Sequence, residues 1–259
     1  MRIYFIIVDE PFFHPSFLEE IINQEKENIV GITILPNKSP KASFIQYLKR
    51  QYDFWGTKGF ILLSFKIILY KFLDFFSKIY KSKKFFSVAS VAQRHNLPLY
   101  RAENVNDKKH LDYLKDKNID LIVSACGQVF KKELLAIPKI GIINRHSSLL
   151  PKYGGLWPIF WALLHNEKSL GVSVHRMTEK IDSGDIIYQK SFDVSDADTL
   201  ESAYRKSFEI SPLVVLKAIE KIKNNNYQNN IKFKKSKFSY FLFPTKKDIE
   251  NFRKKRKMI

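Results

Sequence analysis

The chain has 259 residues, 45% of them hydrophobic, with a formal net charge of +18 and a single cysteine. A chain of this size buries one good core, or one core with a small appendage. The lone Cys126 excludes an intrachain disulfide and points to a reducing setting, the cytoplasm, and the short apolar run before Asp9 reads as a buried strand rather than a secretion signal.

Residues 2–8 form, after Arg2, an unbroken apolar, β-branched and aromatic run, as a strand covered on both faces requires. A helix follows over 17–22, then strands over 28–35, 97–101 and 119–125, with a helix over 107–118 before the last of these. Strands alternating with helices predict an α/β fold: a mostly parallel, twisted sheet with helices on both faces. Ligands in such sheets sit beyond the carboxyl ends of the strands, where residues 8–15, 124–130 and 144–146 emerge. Further on, the pattern gives a helix over 157–164, strands within 171–177 and 185–194, and a long helix over 199–222 with Ser195 or Asp198 as its cap.

Two segments stand outside this alternation. Residues 59–80 place Phe65, Ile68, Leu69, Phe72, Phe76 and Ile79 on one helical face, with Lys66, Lys71, Asp74, Ser77 and Lys78 largely opposite. Four charges inside the apolar stretch argue against a transmembrane span. Packing over the sheet, a homodimer contact and peripheral contact with a membrane surface remain open. From residue 221 onward there are thirteen Lys or Arg against two Asp or Glu, so most of the excess charge lies at this end of the chain, where residues 225–259 form a short basic C-terminal extension. It reads as a solvated end, although phosphate or membrane contact stays open. Its aromatic stretch 238–243 is expected to fold back onto the body, with Thr245 capping a short helix. Cutting the chain after Asn230 is expected to leave the activity mostly intact.

The chemistry concentrates in "GIINRHSSLLPKYGG" and, some thirty residues on, "GVSVHRMTEKIDSGDII". Alternate residues of an extended strand point the same way, so Asn144 and His146 bring an amide and an imidazole to one point while Arg145 faces elsewhere. Donors fixed around an oxygen that becomes negative are the main device of acyl transfer, and Asp182 would orient the imidazole and support its charged form. A metal set of His146, His175, Asp182 and Asp185 competes with this reading, but it would leave Asn144 without a role. A serine hydrolase built on Ser147 or Ser148 lacks the Gly-X-Ser-X-Gly elbow. His175 reads as a substrate-side group or as a satisfied core histidine, and Trp157 and Trp161 as core or acceptor lining. Gly154 and Gly155 free the backbone for close approach to a ligand or end the loop.

On these motifs, across residues 120–187, the chain resembles the folate-dependent formyltransferase family: Asn-X-His, then "SLLPKY", then Asp-Ser-Gly-Asp, in one order and spacing. The resemblance implies a Rossmann-like catalytic domain over 1–224, with residues 42–86 as a helical insertion, and transfer of a formyl group from 10-formyltetrahydrofolate, without a metal, to a primary amine. It implies Asn144, His146 and Asp182 as the catalytic trio. Ser124, Ala125, Cys126, Gly127, Gln128, Val129, Leu150, Thr178, Ile181 and Gly184 fall where the family holds folate, and Tyr153, Gly154 and His175 on the acceptor side. "VDEPFFHPS" stands after the first strand, where purine-pathway members carry a Gly-rich phosphate loop, and the 39 residues from Lys221 are short for the β-barrel of tRNA-acting members. The expected acceptor is therefore a small molecule, foremost an amino sugar on a nucleotide. Charged tRNA is the alternative, and a non-catalytic folate-binding or membrane-associated module the alternative of another kind.

Overall fold

The computed structural model describes residues 1–38, 43–80, 84–225 and 239–258. In chain order the elements are β1 (Ile3–Val8), α1 (His14–Glu25), β2 (Ile29–Leu35), α2 (Phe44–Ile79), α3 (Val88–Arg94), β3 (Leu99–Arg101), α4 (Lys108–Lys115), β4 (Leu121–Ala125), α5 (Lys132–Leu135), β5 (Gly141–His146), β6 (Gly154–Gly155), α6 (Pro158–Leu164), β7 (Ser169–Arg176), β8 (Ile186–Asp193), α7 (Leu200–Lys223), β9 (Tyr240–Phe241) and α8 (Lys246–Lys255).

Seven strands form one sheet in the order β3-β2-β1-β4-β5-β7-β8. The first five run parallel, and β7 and β8 join antiparallel at one edge. Alternation along β1 explains the layers. Ile3, Phe5 and Ile7 pack with Phe17 and Ile21 of α1, Val88 of α3 and Val215 of α7, whereas Tyr4 and Ile6 face Leu114 of α4 and Leu134 of α5. Helices therefore cover both faces, as the β-rich apolar runs require. The chain leaves β1 toward β2 and β3, then returns to the other side of β1 as β4, so the strand order reverses between β1 and β4. A crevice opens beyond the carboxyl ends of strands at such a reversal.

Three departures from the sequence reading have local causes. Helix α2 begins at Phe44 rather than near residue 59, because Ser43 and Gln46 form a reciprocal capping box. It is interrupted at Gly56, whose φ of 69° only glycine adopts at low cost, and Arg253 donates to the freed carbonyl of Phe54 at 2.7 Å. The cap of α7 is Thr199, which accepts from the Ser202 amide at 3.0 Å, while Asp198 is engaged by Ser195, Ser202 and Lys206. Residues 239–258 pack as part of the body: Ile249, Phe252 and Met258 are buried in a third apolar cluster with Phe54 and α6, and Phe252 stacks on Phe160 at 4.6 Å. Thr245 caps α8 through a box with Asp248. Phe238 lies outside the described residues.

Candidate active site

Strand β5 runs between β4 and β7, and its register places Asn144 opposite His175 and His146 opposite Ser173. Directly opposed residues of an antiparallel pair project from the same face, and the Asn144 amide nitrogen lies 3.5 Å from His175 Nε2. Arg145 points to the other face, where Ser211, Ser147 and Ser207 accept from its guanidinium at 2.8, 2.6 and 2.6 Å and the Phe208 ring lies 4.0 Å away. This buried cluster ties β5 to α7, which fixes the strand from behind.

The loop between β7 and β8 delivers the carboxylate. Asp182 sits in left-handed backbone (φ 48°), a conformation Asp tolerates better than most residues. One carboxylate oxygen accepts the Gly155 amide at 2.7 Å and stands 3.8 Å from His146 Nδ1, while the other is 3.5 Å from His175 Nε2. His146 donates through Nε2 to the Tyr153 carbonyl at 2.9 Å. The trio thus converges, with His175 as a fourth member. Asn144, His146 and Asp182 are only 7%, 7% and 9% exposed, and the Asn144 Oδ1 atom meets no hydrogen-bond partner among the described residues. A buried, unpartnered amide oxygen is costly, and such a group in a native site points to a ligand or a catalytic role.

Burial pulls the His146 imidazole below its ordinary 6.5, opposed by Asp182 and the Tyr153 carbonyl, so the ring is neutral near pH 7. Burial acts upward on Asp182, but His146, His175 and the Gly155 amide outweigh it and hold the carboxyl well below the carboxylate range. A neutral base beside a fixed anion is the arrangement that accepts a proton and is then stabilised. The acid limb of kcat/KM is accordingly expected with a midpoint below 6.5, read from a pH–rate profile. Stability tracks the same sign: the unfolded chain takes up the His146 proton first, so this group's contribution is lost as pH falls below 6.5.

The loop after β5 is held at several points. Ser173 donates to the Ser148 carbonyl at 2.7 Å and accepts the Leu150 amide at 3.1 Å, and Ser148 donates to the Lys152 carbonyl at 2.8 Å. With Ser147 taken by Arg145, neither serine is free as a hydrolase nucleophile. The C-terminal segment closes the other side. Ser239 accepts the Tyr153 amide at 2.8 Å, and β9 pairs in parallel with β6, the glycine pair beside Asp182. A Cβ on Gly155 (φ +90°) would stand 2.2 Å from the Phe241 carbonyl, so that close pairing requires glycine. Gly184 is tighter still: a Cβ there would meet the Arg176 carbonyl at 1.9 Å. Gly184→Ala is expected to displace the Asp182 loop, lowering turnover about tenfold or more with a reduced melting temperature. Wild-type rates in that variant would show that the loop position is immaterial.

The remaining sequence-selected positions divide by environment. Ser124 and Ala125 are buried in the end of β4, and Gln128 folds back, accepting the Val105 amide at 2.9 Å and donating to the Glu103 carbonyl at 3.0 Å. Cys126 lies 3.5 Å from the Ser124 hydroxyl. Gly127 borders open space, since a Cβ there meets nothing within 4 Å. Val129 and Ile181 present exposed apolar side chains, Leu150 is buried, and Thr178 donates within its own loop to the Lys180 carbonyl. Gly154 is the first residue of β6. Tyr153 turns toward the body, stacked on Phe241 with its hydroxyl on Glu167 at 3.0 Å, so its backbone rather than its ring faces the trio.

Glu10, after β1, was not singled out by the sequence. It accepts the amides of Phe12, Phe13 and His14 at 2.8, 2.8 and 3.3 Å, and burial pushes its carboxyl up to about 7. The donors at the start of α1 are thus met by the chain's own carboxylate, in the place a bound phosphate would need them. Among the described residues no His, Cys, Asp and Glu group is arranged to hold a metal ion.

The sequence profile of the Formyl transferase family matches residues 76–219. Residues of this chain are 38% identical over 173 positions to the bifunctional polymyxin resistance protein ArnA of Wigglesworthia glossinidia brevipalpis, covering 64% of this chain and 26% of that one. They are 35% identical over 179 positions to methionyl-tRNA formyltransferase of Fusobacterium nucleatum, covering 66% and 58%. The chain therefore spans only part of the curated relatives it matches. Among solved structures, the Helicobacter canadensis N-formyltransferase in complex with folinic acid and dTDP-3-aminofucose superposes with a TM-score of 0.59 at 21% identity, covering 97% of this chain and 79% of that one. Phosphoribosylglycinamide formyltransferase from Bacillus halodurans gives 0.60 at 20%, covering 87% and 97%. At those identities the likeness is one of fold.

Proposed function

The chain belongs to the formyl transferase family, and on that premise we propose that it transfers a formyl group from 10-formyltetrahydrofolate to the primary amine of a small molecule. The observation that carries this reading is the convergence of Asn144, His146 and Asp182, with the Asn144 oxygen buried and unpartnered among the described residues. As the amine nitrogen bonds to the formyl carbon, the carbonyl electron pair moves to oxygen. The Asn144 amide can face that oxygen, since an amide group reorients by rotation. The amine loses its proton to neutral His146, which Asp182 then stabilises. Collapse of the tetrahedral species restores the C=O bond and breaks the bond to the folate nitrogen, which leaves with the proton that His146 took up, so the imidazole returns to its neutral form. Folate would lie along residues 124–129 and 178–184, where Gly127 borders open space and Val129 and Ile181 offer apolar contact.

For the acceptor, we favour an amino sugar on a nucleotide. Asp9 and Glu10 lie together after β1, a setting that attracts an ammonium, and Glu10 already occupies the amides a phosphate would need there. A ribonucleotide with its phosphate in that seat is disfavoured. The catalytic domain, residues 1–224, would work in the cytoplasm with residues 225–259 as its extension. The test is release of tetrahydrofolate with a panel of acceptors. Turnover with amino-sugar nucleotides and none with glycinamide ribonucleotide is expected. Turnover only with charged tRNA would replace the acceptor, and none with any acceptor would indicate a binding module.

A further inference from the structure

The second half of α2 is inside out for a helix on a water-exposed surface. Its polar side chains hold it to the body: Lys66 bonds Glu201 at 2.9 Å, and Asp74 accepts from Ser87 and Ser90 at 2.9 and 2.6 Å. Tyr70 packs beside them, its ring edge-on to Phe12 at 5.0 Å and to Phe86 at 5.4 Å. The opposite face carries Ile61, Phe65, Ile68, Phe72, Phe75 and Ile79, each between 58% and 66% exposed. An amphipathic helix normally turns its apolar stripe to the core. Here the stripe runs about 27 Å, at 1.5 Å per residue, with nothing over it among the described residues.

We propose that this face docks on an anionic lipid bilayer, the helix lying in the interfacial plane. The charge decides between occupants. Besides Lys66, which is taken by Glu201, six lysines lie between residues 58 and 84, against the single Asp74, in a chain of net charge +18. Two copies meeting through this face would bring those lysines together, whereas anionic headgroups would complement them while the Phe and Ile side chains enter the acyl boundary. Spanning is excluded, since no helix among the described residues is long and apolar enough to cross a membrane. The inference is independent of the acceptor.

The experiment is co-sedimentation of the full chain with phosphatidylcholine vesicles, with and without phosphatidylglycerol. The wild type is expected in the pellet only with phosphatidylglycerol, with binding weakened by salt. A triple Phe65→Ser, Ile68→Ser, Phe72→Ser variant is expected to bind about tenfold or more weakly at an unchanged melting temperature, because those side chains support no core. A wild type that stays in the supernatant would overturn the proposal. So would a triple variant that binds equally well, which would assign adsorption to the lysines alone. A stable dimer in sedimentation equilibrium that the triple variant abolishes would assign the face to a second copy instead.

Discussion

Replacing His146 with Ala, or Asp182 with Asn, is expected to lower formyl transfer about a thousandfold while leaving folate binding near the wild-type level. The two substitutions remove different things. His146→Ala deletes the proton acceptor. Asp182→Asn keeps an oxygen that can accept the Gly155 amide, now at 2.7 Å, so the loop geometry survives and the loss isolates the charge that supports the ring 3.8 Å away. The effect should fall mainly on kcat, because the groups act on charge that develops only in the transition state. Single-turnover rates with a folded check by circular dichroism measure it. Near-normal rates in either variant would remove that residue from the chemistry.

Deleting residues 239–258 is expected to lower both stability and turnover, by about a hundredfold for the latter, against the sequence-based expectation that the tail is dispensable. The structure supplies two reasons. The deletion strips Ile249, Phe252 and Met258 from the apolar cluster around Phe54 and α6, and uncovering a buried phenylalanine alone costs about 3–5 kcal/mol. It also removes the partners of the active-site loop: the Ser239 hydroxyl on the Tyr153 amide, the Ser239 carbonyl on the Gly154 amide and the Phe241 carbonyl on the Leu156 amide. Those bonds hold the Tyr153 carbonyl on His146 and the Gly155 amide on Asp182. Where the deletion does not fold, Phe252→Ala keeps the strand pairing and separates the effects: a lower melting temperature with a retained rate. An active, equally stable deletion would return the segment to the role of a solvated tail.

What could be read from the residues follows from the range of the interactions involved. Period-two and unbroken apolar runs mark strands locally, so β1, β2, β4 and the alternation of strands with helices were visible, as was the Asn-X-His pair, whose convergence needs only strand geometry, whereas the short α3, α5, β6 and β9 were not. His175 stood out as a polar residue on an apolar strand, but its place against Asn144 depends on the register between β5 and β7, which no local pattern encodes. The same holds for Gly155 and Asp182, 27 positions apart. The early start of α2 was signalled by Ser43 and Gln46, a capping box three residues apart, and hidden by the Gly56 interruption. Glu10 gave no signal, because a carboxylate closing on the next amides resembles any acid beside a turn.

The most direct measurement is a crystal structure of the chain with 5-formyltetrahydrofolate and an amino-sugar nucleotide. The formyl oxygen is expected within about 3 Å of the Asn144 amide, with the His146 ring beside it and the acceptor amine reaching the carbon from the β1 side. Folate bound away from Asn144 and His146, or an acceptor that cannot approach the formyl carbon, would contradict the assignment of these groups to formyl transfer.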